Sequence, residues 1–551
     1  MQASDRSQQD MNGVSLTLGC AVLFVCAFIF YGGYLSRRFG IRPEAPTPAH
    51  SLRDGIDYMP ARREVLLGHH FASIAGAGPI VGPVLGALFG WVPALLWILL
   101  GGIFIGAVHD FSALVASIRH QGRSIGEVIE QHVGRRGKIL FLAFSWSTLV
   151  LVVAVFAKIV AQTFAANPGV ATTSIFFMPL AVVFGLCNYR TRFPLTATTA
   201  VGVLLLFAAI PAGARLPIQT SAGTWIAVLF LYCGVASVLP VWILLQPRDY
   251  LNSFLLYVLL VGGLIGLLFF RPSLNLTPVV SFQTELGPLF PILFVTVACG
   301  AISGFHSLVA SGTTAKQLDR ETDARFVGFG AMLIESLLAV LALVAAAYLT
   351  SQQYQELKAQ GGPIHIFSHG VGSFIATLGI PESTARNFAA LAVSAFALTS
   401  LDTATRLARF AFQELLGTGA PTKARSFLTH RYTATVLTLA ACVVLVASGG
   451  TERVWPLFGS ANQLLAALAL LAVSVWLARK AQSNFFVKYP MVFMYAVSLS
   501  ALAIQAWQNF RQGHLLLSGL ACALFALALF LAREARGSLK KKRLTSLPEV
   551  P

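Results

Sequence analysis

Asp402 lies in AFALTSLDTATRLARF, a run apolar or small up to that point, with Thr399 one turn before it and Arg406 four residues after it. Glu335 stands alone in GAMLIESLLAV, and the adjacent His69 and His70 open GHHFASIAGAGPIVGPVLGALFG. His306 follows Gly304 in PLFPILFVTVACGAISGFHSLVASG. A carboxylate far inside an apolar run either binds a proton or joins an ion pair. For Asp402 both readings stand open, since Arg406 has the spacing for a pair on one helix face. Glu335 is a proton site or a packing residue. The two histidines suit proton relay or capping better than metal, because no carboxylate or Cys stands at ligand spacing. His109 and Asp110 read as a solvated helix end paired with Arg119 or Arg123, or as a gate. Pro247 to Tyr250 reads as a structural turn, and Asn462 and Gln463 as hydrogen bonds between helices. The chain has no Walker A sequence, nucleophile elbow or HExxH, so nothing points to ATP drive or hydrolysis.

The elements that must position these groups are unusual helices. Gly68 to Gly90 holds six glycines and two prolines in 23 residues, yet it is apolar and long enough to cross a bilayer. Pro removes an amide donor and clashes with the preceding turn. In lipid a broken helix persists only where its freed backbone is buried in protein or faces water. Such interruptions are where carriers place substrate and ion sites; the plainer alternative is a Gly-rich helix that kinks and packs closely. Gly300, Gly304 and Gly312 interrupt a second run at 288–312.

Composition sets the class. The 551 residues are 56% hydrophobic and 11% charged, against roughly 25% charged in soluble domains. About fifteen apolar runs of spanning length recur, near 14–35, 65–89, 91–118, 138–165, 174–187, 193–212, 223–244, 250–270, 288–312, 326–350, 386–415, 431–449, 455–477, 490–508 and 514–532. With the N-terminus outside, 29 of the 39 Lys and Arg fall on the inner side, which predicts N-terminus out and C-terminus in. The net charge of +17 thus reports topology and anionic lipid, not nucleic acid. The first residues lack a basic region and a small-residue cleavage site, so no signal peptide is expected. All seven Cys lie in apolar runs without CxxC spacing, so neither disulfides nor a zinc site are expected. Spans 2–6 and 9–13 each begin with a broken, His-bearing helix, and the two enter from opposite sides. That is the pattern of an inverted repeat.

The blocks GHHFASIAGAGPIVGPVLGA, HDFSALVASIRHQGRSIGE, VLPVWILLQPRDYLNSFL, ACGAISGFHSLVASGTTAKQL, DTATRLARFAFQELLG and WPLFGSANQLLAALAL occur in order between Tyr58 and Leu471. Together they resemble the carbon starvation protein CstA family. The resemblance implies an inner-membrane carrier of small carboxylates, with peptide uptake in carbon starvation and pyruvate uptake by proton symport among its members. It also implies the LeuT-like 5+5 inverted repeat of the amino acid–polyamine–organocation superfamily. The expected architecture is therefore all-α and polytopic, with residues 12–350 as an N-terminal region and 351–385 as an outer segment, re-entrant or two short spans. A five-helix region at 386–532 and a basic tail at 533–551 follow. The breaks at Ala75 to Pro79 and Gly300 to His306 should line the site. The substrate candidates are His69, His70, Ala75, Gly76, Gly78, Pro79, Gly300, Ser303, Gly304 and His306, with the carboxylate held by amides near Gly76 and Gly78. The superfamily's fold also implies a cation site between the first break and hydroxyls of span 11. Thr399 and Ser400 would serve Na⁺ there, whereas Asp402 first and Glu335 second would serve a proton. No cofactor is expected beyond the coupling ion, H⁺ or alternatively Na⁺. A membrane-embedded hydrolase and a nutrient sensor are the rival classes.

Overall fold

A computed structural model describes residues 12–54, 58–190, 194–240, 243–417, 422–448 and 451–540. The polar start at 1–11, Arg192, the ends of the runs at 241–242 and 449–450, and tail residues 541–551 lie outside the described residues. The helices that frame the site are α1 (Gly13–Arg38), α2 (Arg63–Ile74), α3 (Gly78–Gly86), α4 (Trp91–Arg119), α5 (Ile125–His132), α6 (Arg135–Ala166), α7 (Pro168–Arg190) and α8 (Leu195–Arg215). They continue with α9 (Ala222–Val238), α10 (Leu245–Phe270), α11 (Leu289–Thr296), α12 (Ala298–Ala301), α13 (Phe305–Gly312), α14 (Arg325–Ala347), α15 (Ser351–Ala376) and α16 (Glu382–Gly417). The last four are α17 (Arg431–Ser448), α18 (Thr451–Arg479), α19 (Phe485–Arg511) and α20 (Leu515–Lys540). A two-stranded antiparallel ribbon pairs Gln283–Thr284 with Gly287–Pro288 ahead of α11.

Among the described residues, 12 helices are long and apolar enough to cross a membrane, and α2 with the helix after it forms a bent pair that makes 13. Leu204, Leu231 and Phe30 are among the large apolar side chains left exposed on the outside of the bundle. This is a multi-pass membrane protein. Two further runs were expected to cross. The run at 223–244 forms α9, of 17 residues, and the run at 288–312 breaks into three short helices. The run at 174–187, short for a span, is extended by Pro168 at its start into a helix of 23 residues. The segment expected to lie outside, α15, is two helical stretches that meet at a non-helical Gly362 (φ +70°) before Pro363, and the second is buried. The tail expected from 533 continues α20 as far as Lys540.

Both interruptions fall where glycine and proline demand them. The first helix stops at Ile74 and restarts at Gly78, bent by 50°. Pro79 fits the first turn of α3, where an amide has no acceptor anyway. Pro83, inside α3, removes the donor that Pro79 carbonyl would otherwise receive. The second breaks at Ile302 and Ser303, with Ile302 extended at φ −166° and ψ 138°. The two broken helices cross closely because small residues meet there: a Cβ on Gly82 would stand 2.8 Å from the Thr296 carbonyl, and one on Gly300 3.4 Å from Pro83 Cγ.

Around them α16 packs along α6, while α9 and α17 each touch both. α10 packs on α2 and α16, and α18 packs on α6 and on α11–α13. The helices expected to lie between the two repeat units, α9 and α10, thus pack into the centre. The α7–α8 hairpin packs mainly on itself and α10, and α8 is largely exposed.

Candidate functional site

A small cavity lies between the two breaks. Gly76, Gly78 and Pro79 line it from the first; Cys299, Ser303 and Phe305 line it from the second. Ser400 of α16, Phe156 of α6 and Asn462 of α18 complete the wall. It offers about 10 Å³ to the centre of a water-sized sphere, room for roughly one water.

The two helix starts that face it differ. Ala77 and Gly78 open α3, so their N–H groups have no acceptor within the helix. At α13 the equivalent donors are taken: Gly304 N–H donates to the Asn462 carbonyl at 3.0 Å and Phe305 N–H to Asn462 Oδ1 at 2.9 Å. Asn462 Nδ2 in turn donates to Ser303 Oγ at 3.0 Å and to Cys299 Sγ at 3.4 Å. One helix N-terminus is therefore capped by a side chain, and the other points its partial positive charge at the cavity. Asn462 forms the expected bond between helices, but it does so as a wall of the site. Its SANQ context in an apolar run was the available signal.

Two buried polar clusters flank the cavity. In the first, His109 Nδ1 is 2.7 Å from Asp110 Oδ1, and Asp110 Oδ2 is 2.8 Å from His306 Nδ1. His306 Nε2 stands 3.3 Å from Glu335 Oε2, and all four side chains are at most 1% exposed. His109 and Asp110 are thus not a solvated helix end. Arg119 pairs instead with Glu321, its Nη2 donating to Oε2 at 2.9 Å. His70 is fully buried, with Nδ1 2.8 Å from Thr314 Oγ1, whereas His69 Nδ1 has no hydrogen-bond partner among the described residues.

In the second cluster, Arg248 of α10 forks onto both oxygens of Asp402, with Nη2 3.0 Å from Oδ1. Tyr232 of α9 donates its hydroxyl to Asp402 Oδ2 at 2.7 Å, and Arg248 Nη2 donates to Asp249 Oδ1 at 2.7 Å. Asp402 therefore pairs with Arg248, not with Arg406, whose Nη1 donates to the Leu239 carbonyl at 2.9 Å. Pro247 to Tyr250 is not a turn: it forms the start of α10, where Pro is tolerated and the chain buries Arg248 and Asp249. Arg248 and Tyr232 had no signal beyond a charged pair next to apolar runs. Thr399 Oγ1 accepts from Asn252 at 3.2 Å, and Ser400 Oγ faces the cavity with no hydrogen-bond partner among the described residues.

Of the expected substrate residues, Gly76, Gly78, Pro79 and Ser303 meet at the cavity, joined by Ser400 from the ion set. Ala75, Gly300 and Gly304 are buried beside it in the helix breaks, while His306 and Glu335 belong to the first cluster and Asp402 to the second. Among the described residues no group of three or more His, Cys, Asp or Glu is set to hold a metal ion.

Residues 12–362 and 355–501 match the family described as carbon starvation protein CstA. The chain belongs to the CstA family. It is 34% identical over 560 residues to the peptide transporter CstA of Escherichia coli K12, covering 88% of this chain and 79% of that one. It is 31% identical over 597 residues to the pyruvate/proton symporter BtsT of the same organism, covering 92% and 83%. The peptide transporter CstA of Bacillus subtilis is 32% identical, with 84% of each chain covered. In fold, this CstA-family chain is similar to a manganese transporter of Eremococcus coleocola, with a TM-score of 0.52, 12% identity, and 89% of this chain and 99% of that one covered.

Proposed function

We propose that this protein is a secondary carrier of the bacterial inner membrane that imports small carboxylates, pyruvate or short peptides, by proton symport when carbon is scarce. The observation that carries the reading is the meeting of both helix breaks at one small cavity, lined at the start of α3 by Gly78 and Pro79 with no side chain capping that helix end. A carboxylate would sit on the Ala77 and Gly78 amides. Ser303 and Asn462 would bond a neighbouring oxygen, and Phe156 and Phe305 would cover the apolar end. The cavity is too small for either substrate as it stands, so loading requires the helices to part, as alternating access demands.

The packing supports an inverted 5+5 core, with a composition different from the simple run of spans. We assign α2–α3, α4, α6, α9 and α10 to one unit, and α11–α13, α14, α16, α17 and α18 to the other. The contacts α10–α16 and α9–α6 then mirror α18–α6 and α17–α16. The α7–α8 hairpin becomes an insertion.

We read a carrier and not a hydrolase or a sensor, because the buried polar groups pair with one another across helices instead of forming a nucleophile and base at the cavity. The relative named a pyruvate/proton symporter favours the proton over Na⁺. A Na⁺ site built from Thr399, Ser400 and carbonyls near Gly76 is the second reading, favoured by the unpartnered Ser400 hydroxyl. Counterflow in proteoliposomes tests both. Labelled pyruvate should exchange faster than labelled di- or tripeptide, and accumulation should follow an inward proton gradient at zero Na⁺. Exchange of peptide alone would move the substrate to peptides. Dependence on Na⁺ at fixed pH would move the ion to the second reading.

A further inference from the structure

We propose that the coupling proton is bound by Asp110, His306 and Glu335, three buried side chains from α4, α13 and α14 that meet beside the second helix break. The inference rests on the carrier reading above and names the group that couples it.

The geometry makes one charge-sharing unit. His306 spans the two carboxylates, Nδ1 to Asp110 at 2.8 Å and Nε2 to Glu335 at 3.3 Å. Taken as an imidazolium, His306 hydrogen-bonds Asp110 through Nδ1 and faces Glu335 from Nε2 without a hydrogen bond to either of its oxygens. Two carboxylates and one imidazolium then carry one net negative charge, and one added proton makes the unit neutral. Where it would be received is visible: neither oxygen of Glu335 has a hydrogen-bond partner among the described residues, although the side chain is fully buried. A buried carboxylate without donors is costly in its ionised form, so a proton at Glu335 relieves the unit that His306 only partly matches. Asp110 is better held, receiving His109 and His306 together.

The other titratable groups facing the unit are few. His109 and His70 are fully buried beside it, and Cys299 lies within electrostatic reach of Glu335. His109 Nε2 and His70 Nε2 have no hydrogen-bond partner among the described residues. They offer acceptors or donors along a route to the unit. Among the described residues no Lys or Arg makes an ion pair with it.

The unit is coupled to the cavity through the chain itself. Ser303 and Phe305 line the cavity, and His306 is the next residue, on the first turn of α13. A motion of α13 that opens the cavity must move His306 relative to Asp110 on α4 and Glu335 on α14. Proton loading would therefore favour one arrangement of the break. A carboxylate substrate adds a negative charge and the proton removes one, so the loaded carrier can cross without net change. Asp402 is a poorer exchanging group, since a bidentate arginine and a tyrosine hydroxyl already satisfy it.

The test uses the full chain in proteoliposomes, with labelled pyruvate and labelled trialanine as probes and a lumenal pH dye. A one-unit inward gradient supports up to about tenfold accumulation at one proton per substrate. The wild type should approach this and acidify the lumen. Glu335→Gln should lose accumulation and acidification, while exchange of labelled for unlabelled substrate falls far less. Glu335→Asp, which keeps the carboxylate, should keep coupling with a displaced pH midpoint. If Glu335→Gln does not yield folded protein, Glu335→Asp and His306→Gln decide: an unmoved pH profile in both overturns the proposal. Accumulation with acidification by Glu335→Gln also overturns it and leaves the carrier reading intact. Absence of exchange of either probe by the wild type overturns the carrier reading instead.

Discussion

A methyl group at Gly76 would run into Ser400 Oγ, and one at Gly78 would stand 2.5 Å from Cys299. Overpacking of this kind costs about 1–3 kcal/mol, and here it also fills the cavity proposed to bind substrate. Gly76→Ala should therefore abolish most uptake, and Ser400→Ala in the same chain should restore part of it. Normal uptake by Gly76→Ala would reduce the stretch to a packing motif. Asn462→Ala should weaken uptake as well, because it uncaps the Phe305 amide that the Asn462 side chain now satisfies; an unchanged Michaelis constant and rate in counterflow would count against that role. At this scale the sequence disclosed the glycines, because backbone exposure needs residues without side chains. It disclosed Glu335 and His306 as isolated polar residues, but not that they touch. The pairing of His306 with Asp110 joins residues 196 apart, and no local spacing encodes such a contact.

Arg248 ties α10 to α16 across the bundle, with Tyr232 bringing in α9. Removing one partner of a buried ion pair costs about 3–5 kcal/mol, whereas replacing both by apolar groups is often neutral. Arg248→Met or Asp402→Leu should each lower the melting temperature in detergent sharply, and the double variant should recover part of the loss, the remainder coming from Asp249, left buried without its guanidinium. Additive losses would show that the two residues do not act as a pair. Helix breaks were legible because Gly and Pro act on the backbone locally. The start of α10 was not, because Pro followed by two charges reads as a turn until a partner 154 residues away is known. The outer segment was legible only as irregular. Its kink at Gly362 follows from the Gly-Pro pair, but Tyr354, which donates to the Val84 carbonyl at 2.8 Å and so docks α15 on α3, carries no local sign.

The whole molecule is a two-sided object, and its sidedness rests on charge. The bias of Lys and Arg predicts both the N-terminus outside and the C-terminus inside. A reporter active only outside the membrane should be silent when fused after Pro551; a strong signal there would overturn the orientation. The membrane class was plain from hydropathy, while the membership of the two units proposed above was not, since in that assignment the α7–α8 hairpin interrupts the order in which they are strung. That order has a consequence during synthesis. Arg248 enters the bilayer 154 residues before Asp402 has been made. In that interval the counter-charge at hand is Asp249, the next residue, and it stays 2.7 Å from the guanidinium in the finished fold. Asp249→Asn should therefore reduce the amount of protein that inserts correctly more than it reduces the heat resistance of molecules that have matured. The neighbouring carboxylate would then be an assembly aid carried in the chain, needed most before the lasting partner arrives.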